Sequence, residues 1–148
     1  MFSLVVLAAV ALIVVGWRGT EPAILYAPPA WGRIAANVSM ALAFWLFVVS
    51  GAPSNVRRAL RHPQLISVVI WAGAHLVANG DGRSVVLFGG LGVWALVMMP
   101  LLNRRDGAWV RPEPTPLVTD AGVLAIAGAV FLGVRWAHPW LAGVSAAF

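Results

Sequence analysis

Residues 64–102 read QLISVVIWAGAHLVANGDGRSVVLFGGLGVWALVMMPLL, and of these only Asp81 and Arg83 carry a formal charge. Two apolar runs, Gln64–Asn79 and Ser84–Leu102, flank a tight polar turn at Gly80–Arg83. A helix needs roughly 17–25 predominantly apolar residues to cross a bilayer. Three further runs of this kind lie outside the pair, at Phe2–Trp17, Ile34–Ser50 and Leu117–Trp136. The pattern predicts an all-α, polytopic transmembrane helix bundle with about five spanning helices, forming one domain over residues 1–148. Phe2–Trp17 lacks the basic leading region and small-residue cleavage site of a signal peptide, so it is read as a span.

Composition agrees. Of 148 residues 61% are hydrophobic and 10% charged, against about 25% charged in a soluble domain. All ten basic residues are arginines, scattered one to three at a time between apolar runs. Nucleic-acid binding needs them clustered on one exposed face, so nucleic acid is excluded as a partner and the lipid bilayer is the expected one. The absence of cysteine removes disulfides, thiolate metal sites and cysteine catalysis. The absence of lysine suggests a GC-rich bacterial genome, and hence an inner (plasma) membrane.

Arginine placement orients the bundle. Six arginines fall at the 51–63 and 103–116 connectors, and four in the remaining connectors and ends. The positive-inside rule then puts the N-terminus and the two arginine-rich loops in the cytoplasm. The prolines of Asn103–Pro116 predict an irregular loop there. Ala121, Ala125, Ala129 and Gly133 recur at every fourth position, as do small residues on helix-packing faces in lipid. Gly89, Gly90 and Gly92 are read in the same way. Most of the eight tryptophans suit an interfacial belt, with Trp71 and Trp94 expected inside.

Polar side chains at membrane depth are costly unless they face a partner or a cavity. Gln64, Ser67, Trp71, His75 and Asn79 are spaced three, four, four and four residues apart, so they form one stripe along a helix. The stripe is expected to face the bundle interior. In this topology His75 lies about one turn below the far end of its span. His138 lies just beyond the far end of the last span, in the same leaflet. His62 is 13 residues before His75, roughly 20 Å along a helix, so a two-histidine site must be His75 with His138.

Arg18, Arg83 and Arg135 end or begin spans on that side, beside Asn79 and Asp81. Two imidazoles with arginines at the mouth of an apolar pocket would suit a haem: nitrogen ligands for iron and cations for the propionates. The same residues are also consistent with a hydrogen-bonded core His75 and an interfacial His138. The candidate cofactor-binding residues are His75, His138, Asn79, Arg83 and Arg135, with His75 and His138 as the metal ligands. Asn79 and Asp81 are expected to shape the turn beside His75, by bonding its ring or capping its helix. His62 is expected to be structural, tying the basic connector to a neighbouring helix. Arg57, Arg58 and Arg61 are read as a topogenic cluster facing lipid headgroups, with an anion site at the helix entrance as the functional alternative. Asp120 would pair with that cluster or favour its own helix N-terminus.

Arg61-His62-Pro63-Gln64, the run WAGAHLVANGDGR (residues 71–83) and Leu87-Phe88-Gly89-Gly90 resemble the NnrU family of membrane proteins. Ala137-His138-Pro139, followed by Gly143-Val144-Ser145, is similar to that family's C-terminal signature. The resemblance implies a link to denitrification, specifically nitric oxide and nitrite reduction, with respiratory nitrogen-oxide reductase components as partners. Plant and cyanobacterial relatives are 15-cis-zeta-carotene isomerases that use haem b, which implies a carotenoid as the other partner. The family's intramembrane haem-ligating histidine falls on His75. Ala72 stands where the isomerases have a cysteine, which weakens the isomerase reading. The family's additional N-terminal helix, which bears a histidine, has no counterpart here, so Met1 is expected to open at the family's second span. Haem would then take His138 or water as its other ligand, or be absent.

Two other classes compete. Arg-His-Pro at a helix entrance also occurs in membrane methyltransferases that bind S-adenosylmethionine, but their downstream Glu-Glu pair and tyrosines are missing, since Glu113 and Tyr26 stand alone. A non-catalytic assembly subunit of a membrane complex fits the small size and plain loops.

Overall fold

The computed structural model describes residues 2–146. Five long helices follow one another: α1 (Phe2–Gly19), α2 (Gly32–Gly51), α3 (Pro63–Ala78), α4 (Gly82–Asp106) and α5 (Leu117–Ala142). Among the described residues the one extended pairing is an isolated antiparallel bridge between Ile24 and Asp81. The all-α reading holds. Helices α2, α4 and α5 are long and apolar enough to cross a membrane. Helices α1 and α3 are equally apolar but shorter, and α3, with 16 residues, is about 24 Å long at 1.5 Å per residue.

The core sits where α3 packs along α2 on one side and α4 on the other, with α2 packed in turn on α5. Small residues let these backbones approach. A Cβ on Gly32 would lie 2.5 Å from the Val77 carbonyl oxygen, and one on Gly92 would lie 3.1 Å from the Ala72 Cβ. Ala43, Leu46 and Val49 of α2 are buried, as are Ala72 and Ala74 of α3 and Ala95 of α4. In lipid such close packing, rather than hydrophobic exclusion, holds helices together. Helix α1 is attached chiefly by its last turn. Trp17 Nε1 donates to the Ala142 carbonyl at 3.2 Å, and Arg18 donates to that of Trp140 at 3.3 Å.

Four expectations are corrected. Helix α5 does not stop at Trp136 but runs through Pro139 to Ala142, where Gly143 (φ 77°) caps it. Proline removes one backbone bond there, and a transmembrane helix tolerates that loss. Helix α4 likewise continues to Asp106, so the irregular loop begins at Gly107 (φ 69°). The stripe Ala121, Ala125, Ala129, Gly133 is exposed, whereas Val123 and Ala127 are buried and Phe131 meets Phe44 of α2 at 5.9 Å. These two rows are offset by two residues, about 200° around the helix, so α5 packs with the face opposite the small stripe. Trp94 is 51% exposed rather than interior.

The α3–α4 connector is held by the loop before α2. Leu25 and Tyr26 N–H groups both donate to the Gly80 carbonyl (2.8 and 3.0 Å), and Gly82 N–H donates to Ala23 at 2.8 Å. The Tyr26 hydroxyl donates to the carbonyls of Leu76 and Asn79. A Cβ on Gly80 would overlap the Tyr26 carbonyl, so only glycine permits this approach.

Candidate functional site

A cleft of about 210 Å³ opens at the C-terminal end of α3, between the start of α2 and the end of α5. It brings together His75, Asn79, Arg135 and His138, four of the five expected cofactor-binding residues, and adds Arg33. Apolar lining comes from Met40 and Phe44 of α2 and from Phe131 and Val134 of α5.

Both imidazoles are oriented by backbone. His75 Nδ1 lies 2.9 Å from the Trp71 carbonyl oxygen, one helical turn earlier, and His138 Nδ1 lies 2.7 Å from that of Val144. A carbonyl only accepts, so each Nδ1 must carry the proton. In the neutral rings each Nε2 therefore presents its lone pair. Metal-ligating histidines are ordinarily fixed in this way by a partner on the other ring nitrogen. The His75 ring also stacks on Phe88 of α4, with centroids 4.2 Å apart and planes 22° from parallel. Phe88 is in turn edge-on to Trp71 and Trp17, so an aromatic cluster braces the back of the imidazole.

Asn79 acts by capping. Its side-chain amide donates to the His75 carbonyl at 2.9 Å, closing the last turn of α3. Asp81 caps the next helix, accepting from Ser84 N–H (3.1 Å) and the Ser84 hydroxyl (2.7 Å). Burial opposes its ionisation, but the Ser84 hydroxyl and amide and the nearby Arg83 guanidinium outweigh it, and the carboxyl is held below the usual range.

Arg83, the fifth expected residue, is not at the cleft. It donates to the carbonyls of Trp17 (2.7 Å) and Thr20 (3.0 Å), and lies 4.4 Å above the Trp17 ring. Its Nε is 3.3 Å from Asp81. This side chain fastens α1 to the α3–α4 turn. His62 sits at the opposite end of α3, with Nε2 2.8 Å from the Asn103 Oδ1 of α4. Asp120 stands in the first turn of α5, the second of the two places foreseen for it. It accepts from the Ser54 hydroxyl (2.6 Å) and from Asn55 N–H (3.0 Å) and Nδ2 (2.6 Å), pinning the 55–58 turn to the start of α5.

Arg33 is the residue sequence reasoning missed. The stretch 18–33 reads as a connector, and nothing linear pairs its last arginine with histidines 42 and 105 residues away. Among the described residues no group of three or more histidines or acids gathers. The two imidazoles of the cleft are the residues that could hold a metal or an iron porphyrin there.

The family model described as NnrU protein matches residues 1–146. The chain belongs to the NnrU family. No curated protein and no solved structure matches this NnrU chain. The motif residues of the NnrU resemblance fall at the cleft, at the α3–α4 turn beside it and at the opposite end of α3. His75 and Asn79 close α3, Asp81 and Arg83 shape the turn, Phe88 supports the ring, and His138 faces it from α5.

Proposed function

We propose that this protein binds haem b in the cleft between α2, α3 and α5, with His75 and His138 as the iron ligands. The observation that carries the reading is the matched pair of rings, each with Nδ1 tied to a backbone carbonyl, lining one cleft with two arginines. The donor set fits the group: two Nε2 lone pairs for iron, Arg33 and Arg135 for the propionates, and an apolar wall for the macrocycle. Haem bound there would supply one-electron chemistry. The chain's own part is to fix the two rings, hold the propionates and keep bulk water out with Phe44, Phe131 and Met40. In this reading the protein is an accessory haem protein of nitrogen-oxide respiration, a role that rests on the family resemblance.

A second reading, a carotenoid isomerase-like enzyme, is favoured by one feature. An apolar groove lined by Phe44, Phe47, Trp71 and Trp94 adjoins the cleft through Met40 and Phe44.

The test is the absorption spectrum of the detergent-purified protein, oxidised and dithionite-reduced. Wild type is expected to show a Soret band with sharpened α and β bands on reduction. His75→Ala should lose it, and His138→Ala should weaken or shift it. A wild-type protein that stays colourless after incubation with hemin overturns the proposal. Turnover of 9,15,9′-tri-cis-zeta-carotene by the reduced protein would decide for the isomerase.

A further inference from the structure

The stripe Gln64, Ser67, Trp71, His75, Asn79 runs along three successive clefts whose linings overlap, a segmented groove in which Ser67 itself is buried. Gln64 lies in a cleft of about 370 Å³ at the start of α3, and Ser67 and Trp71 lie in an apolar groove of about 360 Å³ between α2 and α4. His75 and Asn79 lie in the cleft described above. Adjacent sections share residues: Val68 and Trp94 belong to the first two, and Met40 and Phe44 to the last two.

The two ends differ in chemistry from the middle. The mouth at the start of α3 is rimmed by Arg57 and Arg61, and no acidic side chain lines it. Arg61 gives one N–H to the Gly107 carbonyl (2.8 Å), and Arg57 gives one to that of Ala52 (3.4 Å). A guanidinium has five such donors, so both forks keep donors for an anion. Asp106, at the same end of α4, is paired with Arg105 at 2.7 Å. Below the rim the walls are Leu65, Val68, Met98 and Leu102. From Gln64 to His75 is eleven residues, about 16 Å of helix, or half of a hydrocarbon core about 30 Å thick. The groove is thus as long as one leaflet is deep, with cations at its surface end.

We propose that this groove binds an anionic phospholipid, its phosphate against Arg57 and Arg61 and one acyl chain laid along α3 toward His75. Basic pockets between transmembrane helices suit phosphate headgroups, and the charged rim favours such a lipid over a neutral polyene. The proposal does not rest on haem, whose proposed ligands His75 and His138 line the cleft at the other end.

Native mass spectrometry of the full-length protein in detergent tests it, with phosphatidylglycerol and phosphatidylcholine of identical acyl chains as competing probes. Each arginine at a membrane surface contributes roughly fivefold, so wild type should retain phosphatidylglycerol about 25-fold over phosphatidylcholine. Arg57→Gln with Arg61→Gln should bring the ratio near one. Arg104→Gln with Arg111→Gln removes the same charge from exposed positions outside the mouth and should preserve it. Val68→Trp fills the floor and should reduce retention of both lipids, and it carries the test if the arginine variant does not fold. Equal retention of the two lipids by wild type overturns the proposal. So does an unchanged ratio in the Arg57/Arg61 variant. Displacement of phosphatidylglycerol by millimolar inorganic phosphate, with Val68→Trp without effect, would assign the mouth to a free anion and overturn the lipid. Retention of zeta-carotene with no phosphatidylglycerol adduct would give the groove to a polyene instead.

Discussion

Gly80→Ala should be the most damaging single methyl that can be added to this chain. The backbone at Gly80 does not adopt a positive φ, so the cost is steric rather than conformational. The added Cβ would overlap the carbonyl oxygen of Tyr26, which is backbone and cannot rotate away. Relief requires the 23–26 segment to lift off the α3–α4 turn. That breaks the bonds from Leu25 and Tyr26 N–H to Gly80 and from Gly82 N–H to Ala23. At about 1 kcal/mol net for each bond, the loss is about 3 kcal/mol. Restricting the unfolded chain gives back about 0.4–1 kcal/mol, leaving about 2–3 kcal/mol. The Tyr26 hydroxyl would also leave the carbonyls it covers at the end of α3. Unfolding in mixed micelles, followed by far-ultraviolet circular dichroism as the fraction of denaturing detergent rises, measures the difference. Gly73→Ala is the control, because a Cβ there meets nothing within 4 Å, and it should be neutral or stabilising by up to about 1 kcal/mol. If Gly80→Ala unfolds within about 0.5 kcal/mol of wild type, the strap does not hold the end of α3, and the reasoning fails.

Two further outcomes are expected. Arg83→Gln should free the end of α1, since it removes two backbone bonds and the stacking on Trp17, a loss of about 2 kcal/mol. Faster proteolysis between α1 and α2 should report it, while the haem spectrum of the loaded protein stays unchanged; a shifted Soret band would instead return Arg83 to the cofactor. Asp81 is held below its ordinary value, so its contribution is complete above the unfolded value of about 3.9 and is lost as pH falls through the lower folded value. Stability profiles of wild type and Asp81→Asn should therefore run parallel from pH 5 to 8 and converge below about pH 4. A gap that persists to pH 2 would refute the assignment.

Much of the bundle was legible because apolar runs and their polar interruptions are linear signals. The Gly80–Arg83 turn, the capping by Asn79 and Asp81 and the tie from His62 all act within or next to the motif that announces them. The stripe on α3 was equally legible as a row, because helical spacing fixes which residues align. Which way it faced was not legible, for that depends on how α2 and α4 flank α3. Arg33 and Tyr26 escaped for the same reason: the residues each is brought beside lie 42 or more positions away in the chain. The outward turn of the Ala121–Gly133 stripe shows a competition that spacing cannot rank. Phe131 meeting Phe44 buries far more surface than a row of small residues, and it selects the opposite face of α5.

The shortness of α3 links the two sites. At about 24 Å it is shorter than a hydrocarbon core about 30 Å thick, while α4 and α5, with 25 and 26 residues, overrun it. Its terminal polar groups therefore sit at or just below the membrane surface, flanked by longer helices. Mismatch of this kind is met by thinning the bilayer, by snorkelling or by filling the recess. Arg57 and Arg61 snorkel at one end and leave an apolar floor beneath them. At the other end the 23–26 strap covers the Leu76 and Asn79 carbonyls, and His75 shares its cleft with His138 from the overrunning end of α5. Lengthening α3 by one turn at either end would close a recess, so a helix too short for its membrane is what gives this small bundle room for ligands.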